Sequence, residues 1–260
     1  MVRVELSNLC CGYGKKTVVK GVSLKVGAGE SLCILGPNGV GKTTLFRTIL
    51  GFLKAQEGTI HLEGKDIRYS SRKMIAQTIA YVPQAHTPPF PFSVMDIVLM
   101  GRTAHLGAFS SPAHHDREVA EYALEMLGIL KLRDRSYTEI SGGERQMVLI
   151  ARAVAQQAKI MILDEPTSNL DFGNQVKVLC RISSLVKHGL SVIMTSHFPN
   201  HAFLCSDRVF LMKRGNAFEA GDVDEIVTEE NLRDVYGVDV RIVEAPDGRG
   251  KMCKACVPVV

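Results

Sequence analysis

No apolar run in this chain approaches the ~20 residues needed to span a bilayer. Any role at a membrane therefore requires a partner that does span it. The N-terminus, MVRVELSNL, lacks the apolar core of a secretory signal, which predicts a cytosolic chain. Charge of one sign is scarce too. The 31 Lys and Arg against 27 Asp and Glu leave a formal net charge of +4. It is spread along the chain and makes no basic patch of the kind that marks nucleic-acid binding. The seven cysteines, Cys10, Cys11, Cys33, Cys180, Cys205, Cys253 and Cys256, follow no disulfide framework and are expected to be free thiols. Cys253-Lys-Ala-Cys256 has metal-ligand spacing, but one such pair supplies only two of the four ligands zinc normally takes. The pair is read as two ordinary thiols in a C-terminal extension. Internal repeats, low-complexity tracts and sustained heptads are also absent.

The 260 residues are 46% hydrophobic and 22% charged, enough for one large α/β domain with a small subdomain. Short apolar runs alternate with helical patterns, which predicts a largely parallel sheet covered by helices. Residues 31–35, 160–163 and 191–195 read as buried strands. Each ends in polar residues: Gly36 onward, Asp164-Glu165, and Ser196-His197. Ligands of open α/β sheets sit at the carboxyl ends of the strands, so these three ends point to one site. Residues 2–26 read as antiparallel strands broken at Gly12–Gly14. Residues 72–80, 93–101 and 116–128 read as helices, and 209–212 with 218–220 as a hairpin around Arg214-Gly215-Asn216. Thr228–Tyr236 reads as a Thr-capped helix and 239–244 as the last strand.

Gly36-Pro37-Asn38-Gly39-Val40-Gly41-Lys42-Thr43 fits GxxxxGK[ST] between an apolar strand and a helical run that starts at Thr44. The glycines let backbone N–H groups curl around phosphates, and the helix N-terminus favours anions. Lys42 is expected on the β- and γ-phosphates of a nucleotide, and the Thr43 hydroxyl on Mg²⁺. Asp164 suits a water-mediated contact to Mg²⁺. Glu165 suits a general base for the attacking water, and His197 a contact to the γ-phosphate. Ser141-Gly142-Gly143-Glu144 opens a second helical run with a capping-box pattern. Two glycines inside the cap weaken a helix, but they admit a second anion close to its N-terminus. One nucleotide does not easily need both helix starts from the same molecule.

In this order GPNGVGKTT, SGGERQ and DEPTSNLD resemble the ATP-binding-cassette (ABC) ATPases, and the resemblance covers nearly the whole chain. It implies a P-loop NTPase fold with a RecA-like core, an N-terminal antiparallel β subdomain and a helical subdomain. The implied boundaries are 1–84 and 159–245 for the nucleotide-binding core, 85–158 for the helical subdomain and 246–260 for a tail. In that family two subunits dock head to tail around two ATP molecules. Ser141, Gly142 and Gly143 would then hold the γ-phosphate of ATP bound to the partner chain. Tyr13 would stack on adenine, Gln84 would touch Mg²⁺ and the lytic water, and Asp171 would line the dimer seam. Ile140 departs from the family's usual Leu and stays apolar.

The segments YVPQ, SVMDIVLMGRTAHLG, SNLDFGNQ and TSHFPNHA are similar to the ATPases of importers for ferric siderophores, haem, cobalamin and related metal chelates. That implies a homodimer at the cytoplasmic face of the membrane, two integral-membrane permease subunits and, indirectly, an extracytoplasmic binding protein. Molybdate or tungstate import stays open, as does a soluble ATPase of iron–sulfur assembly. The stretch VLMGRTAHLGAF, residues 98–109, is then read as a grip on the permease. Phe90, Phe92, Met100, Arg102 and the loop at Leu106-Gly107 would line it. A metal site from His105, His114, His115 and Asp116 would need a fold-back that no ligand spacing supports.

Overall fold

A computed structural model describes residues 1–84, 91–107, 110–246, 250 and 252–259. The chain forms two compact units, Met1–Tyr69 with Ile182–Val260, and Ser70–Arg181. In chain order the elements are β1 (Val2–Tyr13), β2 (Lys16–Gly27), β3 (Ser31–Leu35), α1 (Lys42–Ile49), β4 (Glu57–Leu62), β5 (Lys65–Asp66), α2 (Arg72–Thr78), β6 (Ile79–Val82), α3 (Val94–Leu99), α4 (His114–Met126) and α5 (Gly142–Ala155). Then come β7 (Ile160–Leu163), α6 (Phe172–Lys187), β8 (Ser191–Ser196), α7 (Pro199–Cys205), β9 (Arg208–Met212), β10 (Phe218–Asp222), α8 (Val223–Ile226), α9 (Glu229–Tyr236), β11 (Val240–Pro246) and β12 (Met252–Pro258).

The first unit holds an antiparallel sheet of order β2-β1-β4-β5, the arrangement expected of its first residues. It also holds β3 between two parallel neighbours, β8 and β9. Every residue of β3 and β8 is buried, which is why both read as unbroken apolar runs rather than alternating ones. The β9–β10 hairpin turns at Lys213–Ala217, with Phe218 opposite Met212. The Thr228 hydroxyl caps α9 by accepting from Asn231 N–H, and Gly237, at φ 70°, ends it.

Residues 239–244 are not the last strand. β12 follows β11 and pairs with it antiparallel, from Val240 opposite Pro258 to Pro246 opposite Met252. Lys and Ala in MCKACVP are poor strand formers. The signal that announces this hairpin is the Asp247-Gly248 dipeptide between the two runs; residues 247–249 lie outside the described ones. Cys253 and Cys256 are three apart on β12, so their side chains leave opposite faces and cannot converge on one ion.

The second unit is three helices packed on one another, α3, α4 and α5, beside the parallel pair β6 and β7. Its core comes from Val94, Ile97 and Val98 of α3, Ala120, Ala123 and Leu124 of α4, and Val148 and Ala151 of α5. The helix expected over 72–80 stops at Thr78. Ile79 and Ala80 pair with Ile160 and Met161 instead, because β-branched Ile79 and Val82 and aromatic Tyr81 favour a strand that gains a ladder against β7. The helix expected over 93–101 is capped by Ser93 with Asp96 and ends at Leu99, giving way to a 3-10 turn over Met100–Ala104.

That turn corrects the reading of Arg102. Its side chain is buried and faces inward. Nε donates to Asp116 Oδ1 at 2.9 Å, and Nη1 donates to the Ala155 carbonyl and to Gln157 Oε1 at 2.9 and 2.7 Å. Asp116 Oδ2 accepts from Ala113 N–H, and the Arg102 guanidinium holds the Asp116 carboxyl below its ordinary pKa. One guanidinium thus ties the 3-10 turn to the start of α4 and the end of α5. It is an internal latch and no grip, and Asp116 is spent on it. His105 Nε2 bonds the Gln156 carbonyl, and no group of three or more candidate metal ligands converges among the described residues. Phe90 and Phe109 lie outside the described residues. Removing one partner of a buried, hydrogen-bonded charge pair leaves the other uncompensated. Arg102→Ala is therefore expected to lower the melting temperature by about 5–10 °C while ATP binding persists; calorimetry with and without nucleotide checks it.

Candidate functional site

In the first unit, β3 and β8 run parallel with Leu35 opposite Ser196, so the loop from Gly36 and the residue His197 leave neighbouring strands at one level. The loop's tightness explains its glycines. A Cβ on Gly36 would lie 2.6 Å from the Met212 carbonyl oxygen, and Gly41 sits at φ 110°, with Val19 Cγ2 2.5 Å from where its Cβ would be. α1 starts at once, at Lys42, with no acidic residue in its first turn, so nothing offsets the positive end of its dipole. The buried Lys42 ammonium curls back over the loop and donates to the Gly36 and Pro37 carbonyls at 2.7 and 3.1 Å. Asn38, Gly39 and Thr43 are exposed, while Thr44 is buried. Tyr13 ends β1 with its ring 46% exposed, and its hydroxyl accepts from Arg47 Nη1 at 3.4 Å. Arg47, one turn into α1, was not singled out from sequence; only its place on the helix marks it.

In the second unit, β6 and β7 run parallel with Val82 opposite Leu163. The residues just past both strands are therefore neighbours. Asp164 is buried and its N–H donates to the Val82 carbonyl at 2.9 Å. Glu165, at φ 47°, adopts the left-handed region, a conformation that costs a residue with a Cβ about 1 kcal/mol and turns its side chain off the strand direction. Its carboxylate accepts from Gln84 Nε2 at 2.9 Å. That bond takes one of the amide's two N–H donors and leaves the Gln84 oxygen for another partner.

The start of α5 lies in the same unit. The Ser141 hydroxyl accepts from Glu144 N–H at 3.3 Å, and the Glu144 carboxylate accepts from both Ser141 N–H and Ser141 Oγ–H at 2.9 Å. These bonds, the backbone one first, hold the Glu144 carboxyl below its ordinary pKa. Ser141 and Gly142 are exposed, and a Cβ on Gly142 would meet only Leu170 Cδ2, at 3.8 Å. Packing does not demand that glycine. Gly143 is different: its Cβ would lie 2.6 Å from Asn174 Cγ. Asn174 is fixed by Asp171, which accepts from its N–H at 2.8 Å and from Nδ2 at 2.7 Å. These contacts hold the Asp171 carboxyl below its ordinary pKa. Asp171 and the Ser141–Gly143 turn are thus joined through Asn174, a residue sequence reading passed over. Its only signal is the Asp-x-x-Asn spacing of a helix cap.

Known proteins resemble this chain over most of its length. Residues 19–168, more than half of the chain, match the ABC transporter family. The molybdate import ATP-binding protein MolC of Haemophilus influenzae is 39% identical over 80% of this chain and 77% of its own length. The iron(3+)-hydroxamate import ATP-binding protein FhuC of Bacillus subtilis is 32% identical over 97% of this chain and 94% of its own. Among solved structures, an inward-facing protein described as a metal-chelate type ABC transporter superposes with a TM-score of 0.89 at 33% identity, covering 100% of this chain and 98% of that one.

Proposed function

This chain belongs to the ABC transporter ATPases, and from that premise we propose that it powers import of a metal chelate through separate membrane permease subunits. It binds ATP and is an ATPase. No helix among its described residues is long and apolar enough to cross a membrane. Its similarity to import ATPases supports a peripheral place at the cytoplasmic face. The observation that carries the proposal is the pair of phosphate-binding helix starts, Lys42 of α1 and the Ser141-Gly142-Gly143 turn of α5. Two copies arranged head to tail use both, each ATP lying between the loop of one copy and the turn of the other.

In this reading residues 1–84 with 159–245 bind nucleotide and 85–158 face the permease. Gly36–Gly41 N–H groups and Lys42 hold the phosphates. Tyr13 stacks on adenine. Glu165 takes the proton of the attacking water, which Gln84 and His197 help to place. Asp171 lies at the seam. The donors that the family resemblance assigns to Mg²⁺ are all hard oxygens, the kind the ion takes: the exposed Thr43 hydroxyl, the Gln84 oxygen left by Glu165, and the Asp164 carboxylate through water. Bound there, the ion would offset charge on the β- and γ-phosphates. With Arg102 turned inward, the grip on the permease falls to the exposed Phe92 and Met100 with Leu106.

Ferric siderophore, haem and cobalamin are the expected cargo class, from similarity to FhuC and to the metal-chelate structure. A second reading, molybdate or tungstate, is favoured by the 39% identity to MolC. The test reconstitutes the ATPase with permease and binding protein in vesicles and measures ATP turnover with each cargo. Stimulation by a chelate supports the first reading, and stimulation by molybdate alone replaces it with the second. Failure of the chain to join any permease, together with a stable partnership with soluble iron–sulfur assembly proteins, overturns both.

A further inference from the structure

The turn carrying His197 is only two residues long, between the end of β8 at Ser196 and the start of α7 at Pro199. Its shape rests on one buried hydroxyl. Ser196 Oγ accepts from Phe198 N–H at 3.0 Å and lies 3.0 Å from His201 Nδ1, while His201 N–H donates to the Phe198 carbonyl at 3.1 Å. Ser196 and His201 are both buried. A serine hydroxyl has one proton. With Phe198 N–H donating to the oxygen, that proton lies between two acceptors, the Phe198 carbonyl at 3.3 Å and His201 Nδ1 at 3.0 Å, and reaching Nδ1 requires a neutral imidazole. Burial pushes the His201 pKa down to about 4, with the charge of His197 acting in the same direction, so the ring is neutral at ordinary pH. In either tautomer of the neutral ring, the Ser196 hydroxyl links His201 to the Phe198 backbone. The rings follow suit: His197 and Phe198 lie 4.0 Å apart between centroids, and Phe198 and His201 5.1 Å.

We infer that His201 is a positioning residue for ATP hydrolysis: through its hydrogen bond with Ser196 Oγ it locks the turn that presents His197. The inference rests on the reading in which His197 acts at the γ-phosphate. α7 is also anchored from its other side. The Asn200 side chain completes the backbone bonding of β12, donating from Nδ2 to the Cys256 carbonyl at 3.3 Å and accepting from Cys256 N–H at 2.6 Å. The helix behind His197 is therefore a fixed base, and the Ser196–His201 bond transmits that fixity to the turn. A residue that merely filled the core at 201 would be replaceable by any side chain of similar bulk. A hydrogen-bond partner for Ser196 Oγ is not.

The experiment compares His201→Leu, His201→Asn, Ser196→Ala and the double variant Ser196→Ala/His201→Leu with wild type and His197→Ala. It measures ATP kcat and KM per site that binds a non-hydrolysable ATP analogue, with melting temperature alongside. His201→Leu and Ser196→Ala are expected to lower kcat roughly tenfold, the scale of one buried hydrogen bond felt at the transition state, with KM nearly unchanged. The double variant is expected to be no slower than the slower single one. His201→Asn, whose amide oxygen reaches the Nδ1 position, restores most of kcat. Wild-type kcat per binding site in both His201→Leu and Ser196→Ala, with His197→Ala impaired, overturns the inference alone. So do single effects on kcat that multiply in the double variant. Wild-type turnover in His197→Ala overturns the reading beneath, and the inference with it.

Discussion

Replacing Glu165 by Gln is expected to leave ATP binding near wild type and to cut turnover by about 10²-fold or more, the range set by loss of a general base. The substitution separates the two things this side chain does. As a hydrogen-bond acceptor it holds the Gln84 amide at 2.9 Å, and a glutamine at 165 still offers an oxygen for that bond. As a base it must take a proton from water, which an amide cannot do. The left-handed backbone at φ 47° is remote from a change at the far end of the side chain. Binding measured with a fluorescent ATP analogue and hydrolysis measured as phosphate release would then part company. Glu165→Ala is expected to add a second defect, because it also frees the Gln84 amide and loosens the oxygen meant for Mg²⁺. Near-normal hydrolysis by Glu165→Gln would remove Glu165 as the base and leave only its tie to Gln84.

What could be seen in the sequence was whatever depends on neighbours along the chain. The phosphate loop was legible because strand, glycines, Lys42 and helix follow one another without interruption. The cap on α5 was legible because Ser141 and Glu144 are three apart. What stayed hidden depends on partners far away in the chain. Arg102 sits beside a glycine on a half-apolar stretch and looks like a surface cation. Its partners are Asp116, Ala155 and Gln157, and no periodicity links them. The glycine at 143 could be read as an anion site, but its packing reason, Asn174 pressed against it, lies on the next helix, beyond β7. The left-handed backbone of Glu165 carries no sequence signal either, because the residue there is not a glycine. The tail hairpin was missed because strand propensity in MCKACVP is weak, while its stability comes from contacts outside it. Asn200 completes its edge, Lys254 Nζ bonds Asp224 Oδ1 at 2.9 Å, and Glu229 accepts from Ile242 N–H at 3.0 Å.

Placing Arg at Ser141 is expected to abolish turnover in a pure variant, by about 10²-fold or more if the turn stabilises the transferring phosphoryl group. Ser141 is exposed and caps α5 with its hydroxyl, so the change also removes a cap, a loss of about 1 kcal/mol that a folded unit of this size tolerates. The decisive measurement mixes two inactive chains. A Lys42→Ala chain lacks its own loop function and keeps a sound Ser141 turn; a Ser141→Arg chain has the reverse. If each site takes the loop from one copy and the turn from the other, a mixed dimer concentrates both defects in one site and leaves its second site whole. Random pairing would then return about a quarter of wild-type turnover per chain, since half the dimers are mixed and each carries one sound site of two. If loop and turn of the same copy served one nucleotide, mixing would restore nothing. Recovery on mixing therefore separates a shared site from a private one, and it does so with chains that are each inactive alone, so a contaminating ATPase would show in the unmixed controls.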